Sequence, residues 1–295
     1  MISLFRKKQN TDEERESSNV NTESLPTPAA QMWIVYNAQM KLYMKGSTPF
    51  VLVFLVLLIP AIVYTGILDS IIIDSMREEV GNTGEGYMAI CLSMLSVMTA
   101  LIASMICGSI LPSEIRYRTA YLNFPFPQSR RTFYFGKFLA GYTLVLATVL
   151  AAFAISIMMA SMQYSTLSFT AAGSALLLSM AGSFAFCAIT YGISTYMERG
   201  STMLPFALIF IVIPVIGLVL ADTGVLAGAV GYIPSFFGEV ALSYLGSDQS
   251  VSMMMLLEDI NVDITAPFIG AFIVNVVCGI VFLIAGLVRT ERREI

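Results

Sequence analysis

Long uncharged stretches separate clusters of charged residues along this chain. The uncharged runs cover 46–68, 86–113, 138–197, 200–221 and 264–288. A helix needs about 20 mostly apolar residues to cross the hydrocarbon core of a bilayer, and the third run has room for two such helices and a turn. The pattern predicts an all-α integral membrane protein with six spans, at about 47–68, 87–112, 133–161, 170–195, 202–221 and 265–288.

The basic residues lie almost entirely on one side of this predicted topology. Of the 16 Lys and Arg residues, only Arg77 falls in a connection on the side opposite the two termini. Short loops rich in Lys and Arg face the cytoplasm in multi-pass proteins. We therefore expect a protein of the cell membrane whose two termini, and whose connection between spans 2 and 3, are cytoplasmic.

The segment before the first span divides into a tail and a helix. Residues 1–29 are polar and aperiodic, which is typical of a disordered tail, and 30–295 form the membrane domain. Over 30–45, Met and aromatic side chains fall within one arc of about 120°, with Gln31 and the lysines opposite. This predicts an in-plane interfacial helix rather than a frayed start of span 1, with the marker residues Trp33, Tyr36, Lys41, Tyr43 and Lys45.

Small residues and prolines indicate how the spans pack. Small residues four positions apart, such as Ala188 and Gly192, let neighbouring helices approach closely in lipid. Prolines inside a span remove a backbone hydrogen bond, so Pro60, Pro205 and Pro214 should kink or locally unwind spans 1 and 5.

The long connection 222–264 carries an apolar, Gly-rich stretch at 224–245. Glycine and proline interrupt it too often for an ordinary span. It predicts one or two short helices that dip into, or cap, the outer face of the membrane, although an amphipathic loop helix would have a similar pattern. Its candidate outer-gate residues are Pro234, Phe236 and Phe237.

The composition excludes several classes of chemistry. Hydrophobic types make up 57% of the chain, and histidine is absent, so His-ligated zinc and Ser–His catalysis are excluded. No Asp, Glu, Lys, Arg or His lies in the cores of the spans, which argues against ion-coupled transport and proton pumping. The phosphate loop G-x-x-x-x-G-K-[ST] is also missing. We therefore expect no enzyme, no bound metal or cofactor and no nucleic-acid partner.

The densest charged and aromatic pattern lies at 113–137, with the sequence SEIRYRTAYLNFPFPQSRRTFYFGK. Residues 113–123 can form a short helix, Pro125 and Pro127 then enforce a turn, and Ser129 can cap the next helix. The pattern predicts a compact basic and aromatic segment held against the membrane. A loop that only fixed the topology would not require these aromatic and proline placements.

This segment contains, in order, Glu114, Thr119, Leu122, Pro127, Ser129, Arg130 and Gly136-Lys137, with informative intervals from Thr119 to Pro127 and from Pro127 to Gly136-Lys137. Their order resembles the motif E-x-x-x-G-T-L-x-x-L-x-x-x-P-[VI]-S-R-x-x-[IL]-x-x-G-K of type-2 ABC transporter permeases, which joins helices 2 and 3 of that family. Arg118 stands where the family has Gly, and Gln128 stands where it has an aliphatic residue. The predicted six-span architecture fits the same family.

The resemblance implies that this chain is the permease subunit of an ABC exporter. In that family two six-span permeases, identical or related, form the pathway, and two ATPase subunits beneath them bind ATP and Mg²⁺. The 113–131 segment would be the cytoplasmic coupling helix that docks on the ATPase. Its candidate residues are Glu114, Arg116, Tyr117, Arg118, Thr119, Tyr121, Leu122, Pro127, Ser129 and Arg130.

A second class of function stays open at this point. The chain could be a non-transporting membrane scaffold or sensor, with 113–131 as the docking site for a different cytoplasmic protein. A neighbouring gene for an ABC ATPase would separate the two hypotheses.

Overall fold

The structure of this protein is a computed structural model. In the residues that it describes, all regular secondary structure is helical. The described residues are 27–46, 48–49, 51–54, 56–57, 84–116, 130–163, 168–197, 203–223, 229–245 and 266–292. The helices are α1 (Pro28–Lys45), α2 (Gly84–Arg116), α3 (Arg130–Gln163), α4 (Phe169–Ser194), α5 (Met203–Ala207), α6 (Ile213–Asp222), α7 (Phe237–Ser243) and α8 (Phe268–Arg292).

Four helices in these ranges are long and apolar enough to cross a membrane: α2, α3, α4 and α8. They coincide with the spans predicted at 87–112, 133–161, 170–195 and 265–288, and they confirm a helical, membrane-embedded protein of the multi-pass class. Most of the predicted span 47–68 lies outside the described residues, although those described between 48 and 57 are helical. The predicted span 202–221 is helical but divided into three pieces.

A π-helical turn, Leu208–Val212, separates α5 from α6. The N–H of Ile213 bonds to the carbonyl of Leu208, five residues back, and the next residue, Pro214, has no N–H to donate. The Ser235 hydroxyl donates to the carbonyl of Ile209 at 2.7 Å. The local unwinding expected near Pro214 is therefore present, and a serine from a distant segment satisfies one of the carbonyls of the π turn.

Replacing Ser235 with alanine should destabilise the protein by about 1 kcal/mol, because the partly buried Ile209 carbonyl loses a donor. Ser243→Ala is the matched control, since among the described residues that hydroxyl bonds to Val240 within its own helix and to no other element. Thermal unfolding of both purified variants in detergent measures the difference. Equal midpoints for the two variants would show that the Ser235 bond contributes nothing.

Helix α4 is the centre of the bundle, and it packs against α2, α3, α7 and α8. Its contact with α8 is unusually close, because a Cβ at Gly192 would lie 2.5 Å from the carbonyl oxygen of Phe282. A Cβ at Gly286 would lie 2.9 Å from the Cα of Gly192. Small residues thus bring the two backbones into contact, as small residues do between helices in lipid.

Helix α8 has a second face that nothing in the described residues covers. Ile269, Ile273, Val277, Ile280 and Ile284 are each between 45% and 71% exposed. Only 28% of the apolar window of α8 is buried, against 67% for α4. Such a stripe of branched apolar side chains is suited to contact with acyl chains.

Contacts between residues far apart in the sequence show which helix ends lie together at each end of the bundle. At one end, here called the basic end, the start of α3 meets the end of α8, where Arg131 pairs with Glu291. The end of α4 joins them, since Arg289 lies over the Tyr196 ring at 5.5 Å. At the opposite end, the Tyr244 hydroxyl donates to the carbonyl of Ala266, just before α8 begins. Which of the two ends faces the cytoplasm stays a prediction.

Candidate functional site

The candidate site is the connection between α2 and α3 at the basic end. Helix α2 ends at Arg116, and α3 begins at Arg130. The predicted coupling residues Tyr117, Arg118, Thr119, Tyr121, Leu122, Pro127 and Ser129 lie outside the described residues. Glu114 and Arg116 belong to the last turn of α2, which continues through Pro112 without a break, but their side chains are also outside the description. The short helix and turn predicted for 113–129 therefore stay a prediction beyond residue 116.

The two helices that bracket this connection are packed tightly together. A Cβ at Gly141 of α3 would lie 3.0 Å from Cys107 Sγ and 3.1 Å from the Ile110 side chain of α2. From this contact, the end of α2 is about 14 Å away and the start of α3 about 17 Å away at 1.5 Å rise per residue. A displacement of the connection would therefore be carried along both helices to a shared contact.

Arg130 is the predicted coupling residue whose side chain the structure describes. Its guanidinium donates to the carbonyl of Glu291 at 3.1 Å, and the neighbouring Arg131 Nε lies 2.5 Å from Glu291 Oε1. Both arginines are exposed, so the ion pair contributes little to stability. Its effect is positional, because it holds the start of α3 beside the last turn of α8.

The Gly136-Lys137 pair of the motif has a packing role, which the small-residue spacing predicted for the glycine but not for the lysine. A Cβ at Gly136 would lie 2.9 Å from the carbonyl oxygen of Met32 and 3.0 Å from the side chain of Val35, so glycine admits α1 at this point. Lys137 is only 4% exposed, and its Nζ lies 4.3 Å from the centre of the Phe133 ring in a cation–π contact. The signal for the glycine contact was the four-residue spacing of Gly136 and Ala140.

Helix α1 follows α3 rather than touching it at one point. Gln31 bonds to Thr132, Val35 packs near Gly136, and Tyr43 lines a cleft with Leu144. From one contact to the next, the residue number rises by the same amount in both helices. The two helices therefore run side by side in the same direction.

The exposure of α1 also departs in part from the predicted arc. Gln31 is only 8% exposed, because it faces α3 instead of the polar side to which its angle assigned it. Trp33 and Tyr36 stack with ring centres 5.0 Å apart, and Trp33 is 59% exposed. Lys41 and Lys45 are exposed as predicted. The interfacial role of these residues stays a prediction.

The candidate outer-gate residues lie at the end opposite the basic end. Pro234 begins a short 3-10 turn, Pro234–Phe236, and α7 follows it. Phe236 and Phe237 are fully buried, and the Phe237 ring packs edge-on against Phe186 of α4 at 5.1 Å. In this arrangement both rings are part of the protein core, and their role as a gate stays a prediction.

The class of protein follows from the helices themselves: this is a multi-pass helical membrane protein. No protein-family model matches the chain, and no curated protein matches it at a significant level. Within the described residues, no cluster of three or more His, Cys, Asp or Glu side chains could hold a metal ion.

Proposed function

We propose that this protein is the membrane-spanning permease subunit of an ABC transporter, an exporter that a separate ATPase subunit drives. The observation that carries the proposal is the spacing of Glu114, Thr119, Pro127 and Gly136-Lys137, from the last turn of α2 into the first turns of α3, both long apolar helices. The proposal includes six spans, cytoplasmic termini in the cell membrane and a second permease copy, identical or related.

The packing around the connection suits the transfer of mechanical work. When ATP closes a pair of ATPase subunits, a coupling segment docked on them would move with them. The contact of Gly141 with Cys107 would carry that motion into α2 and α3 together. The contact of Arg130 and Arg131 with Glu291 would carry it to α8.

Purification can test whether a separate subunit, and not this chain, hydrolyses ATP. The affinity-tagged chain, isolated from its native host in mild detergent, should bring down an ATPase subunit that contains a phosphate loop. The chain alone should not hydrolyse ATP, because its sequence has no phosphate loop. Hydrolysis by the isolated chain would contradict the proposal, and a stoichiometric partner without an ATPase site would favour the scaffold or sensor alternative.

The proposed topology predicts opposite accessibility for two engineered cysteines. Cys91, Cys107 and Cys187 are buried, so Cys278 alone needs replacement by alanine in the background chain. An impermeant thiol reagent should label Asp248→Cys in intact cells and Arg118→Cys only after permeabilisation, because the basic connections face the cytoplasm. Labelling of position 118 from outside, with position 248 protected, would reverse the topology.

A further inference from the structure

Helix α1 reaches the middle of α3 and does not stay beside its first turns. The three pairs of residues described above that join α1 to α3 each lie 101 positions apart in the sequence. The same offset places Lys41 level with Tyr142 and Lys45 level with Leu146. The described residues from 43 to 57, here called the 43–57 segment, continue in this direction, because they and α3 form the two walls of an apolar cleft.

This part of α3 lies at the depth of the hydrocarbon wherever a bilayer is placed around the bundle. The hydrocarbon core covers about 20 helical residues, and any such stretch of the 34 residues of α3 includes 144–149. Any such stretch of the 26 residues of α4 includes 175–188. Phe184 is therefore at hydrocarbon depth, and its ring centre lies 5.5 Å from that of Tyr142. The residues of α1 that are level with 142–149 are at the same depth.

The two lysines at this depth point away from the bundle. Lys41 and Lys45 are exposed, and on a helical projection they fall within about 60° of arc together with Ile34 and Ala38, which are also exposed. These four residues are here called the lysine face, and Tyr43, whose hydroxyl is buried, lies on the opposite side of the helix. Neither lysine forms an ion pair with another of the described residues.

Water is the medium that suits the lysine face. A charged side chain surrounded by acyl chains is unfavourable, and charged residues at this depth face a water-filled cavity or pair with an opposite charge. The spans of a second copy would offer no carboxylate, because the uncharged runs of the sequence contain neither Asp nor Glu. A cavity with two cations and no carboxylate on its wall concentrates anions.

We propose that the lysine face of α1 lines a water-filled cavity within the membrane, and that Lys41 and Lys45 attract anionic solutes into it. The proposal uses the packing of α1 on α3 and the membrane location, and not the permease assignment, so either can fail without the other. If the protein is a permease, the same charges favour a cargo with an anionic group, a consequence that rests on the proposed function. In the alternative, α1 lies in the plane of the membrane surface, as its sequence predicts, and both lysines are outside the hydrocarbon.

The distance between two spin labels tests the depth of α1. The labels are attached to Lys45→Cys and to Met162→Cys, an exposed position at the end of α3, in the Cys278→Ala chain in phosphatidylcholine nanodiscs. The offset places the two positions about 24 Å apart along the axis of α3. A helix lying in the membrane plane at the level of Thr132 would hold them about 45 Å apart along that axis, and a distance of that size would overturn the proposal.

Thiol chemistry in the same nanodiscs tests for water and for its preference for anions. Ala38→Cys places a thiol on the lysine face, and Val277→Cys, on the exposed stripe of α8, is the control at hydrocarbon depth. Water-soluble methanethiosulfonates should modify the thiol at position 38 and not the one at position 277. The anionic sulfonatoethyl reagent should react about tenfold or more faster than the cationic trimethylammonium reagent, after each rate is divided by its rate with a small thiol in solution.

Lysine variants show whether the two charges cause this difference. Replacing both lysines with glutamine should remove the difference between the two reagents, and replacing both with arginine should preserve it. The wild-type lysines give the ratio of rates by themselves, so the test does not require that the glutamine variant folds.

The same measurements can contradict each part of the proposal. An unreactive thiol at position 38 would show that lipid or protein covers the lysine face. Equal corrected rates for the two reagents with both lysines present would show that the cavity does not favour anions. A disulfide between the position-38 thiols of two copies would show that a second copy, and not water, lies against this face.

Discussion

Alanine at Tyr117 is expected to weaken binding of the ATPase subunit at least about thirtyfold, while the chain still inserts and folds. Truncating a buried aromatic anchor at an interface commonly costs 2 kcal/mol or more, and tyrosine is among the residue types most often found in that role. Tyr117 lies just past the end of α2, within the segment that resembles the coupling helix. The measurement is the affinity of the detergent-purified chain for the ATPase subunit that the proposed function requires.

Replacements of neighbouring residues should affect binding and transport to different extents. Glu114→Ala should have a comparable effect on transport, because a carboxylate in the last turn of α2 can pair with an arginine of the segment. Arg118→Ala should weaken binding less and in a salt-dependent manner, as rim charges do. Tyr196→Ala is the matched control, since Tyr196 is an exposed tyrosine at the same end of the bundle.

One combined substitution can disprove the assignment of this segment as the coupling helix. Glu114, Tyr117, Thr119 and Tyr121 can be replaced together by alanine at matched expression. If ATPase association and transport both survive, the segment is not the coupling helix, and a docking surface elsewhere has to be found.

Gly192→Ala is expected to destabilise the bundle by about 1–3 kcal/mol or more, the cost of overpacking a close contact. The new methyl carbon would lie 2.5 Å from the carbonyl oxygen of Phe282, and a backbone atom cannot rotate away as a side chain could. The α4–α8 pair would have to separate along its length. The thermal midpoint of the purified protein should fall by several degrees.

The same helix supplies the control for this substitution. Gly173 also lies in α4, but a Cβ there would meet nothing within 4 Å among the described residues. Gly173→Ala should leave the midpoint unchanged or raise it, because alanine is favoured over glycine in a helix by up to about 1 kcal/mol. Equal losses for both variants would contradict a steric origin of the effect at the α4–α8 contact.

The four long helices were predictable because the bilayer imposes a simple requirement on them. A helix in hydrocarbon must exclude charge over about 20 residues, and the uncharged runs mark such segments directly. The ends of these helices were predicted less accurately, since α3 begins at Arg130 instead of 133 and α2 extends to Arg116 instead of 112. A helix can continue into water beyond its apolar core, where composition no longer constrains it.

The contacts around the candidate site were less predictable, because they join residues far apart in the chain. Gln31 appeared polar-facing from its angle on α1, yet it is buried against Thr132. Helical periodicity gives the angle of a side chain around its helix axis, but not which other helix lies next to it. The burial of Lys137 and the pairing of Arg131 with Glu291 could therefore not be inferred. Glycines were better guides, as Gly192 shows, because small residues at helical spacing indicate close approach.

The glycine contact between α4 and α8 also limits how this molecule can change shape. Backbone atoms touch there with no side chains between them, so a small separation would open a void along both helices and lose their dispersion contacts. The two helices should therefore move as one rigid body. Hinge or shear motion has to occur where softer groups meet, such as the π turn before Pro214 or the boundary between α3 and the 43–57 segment.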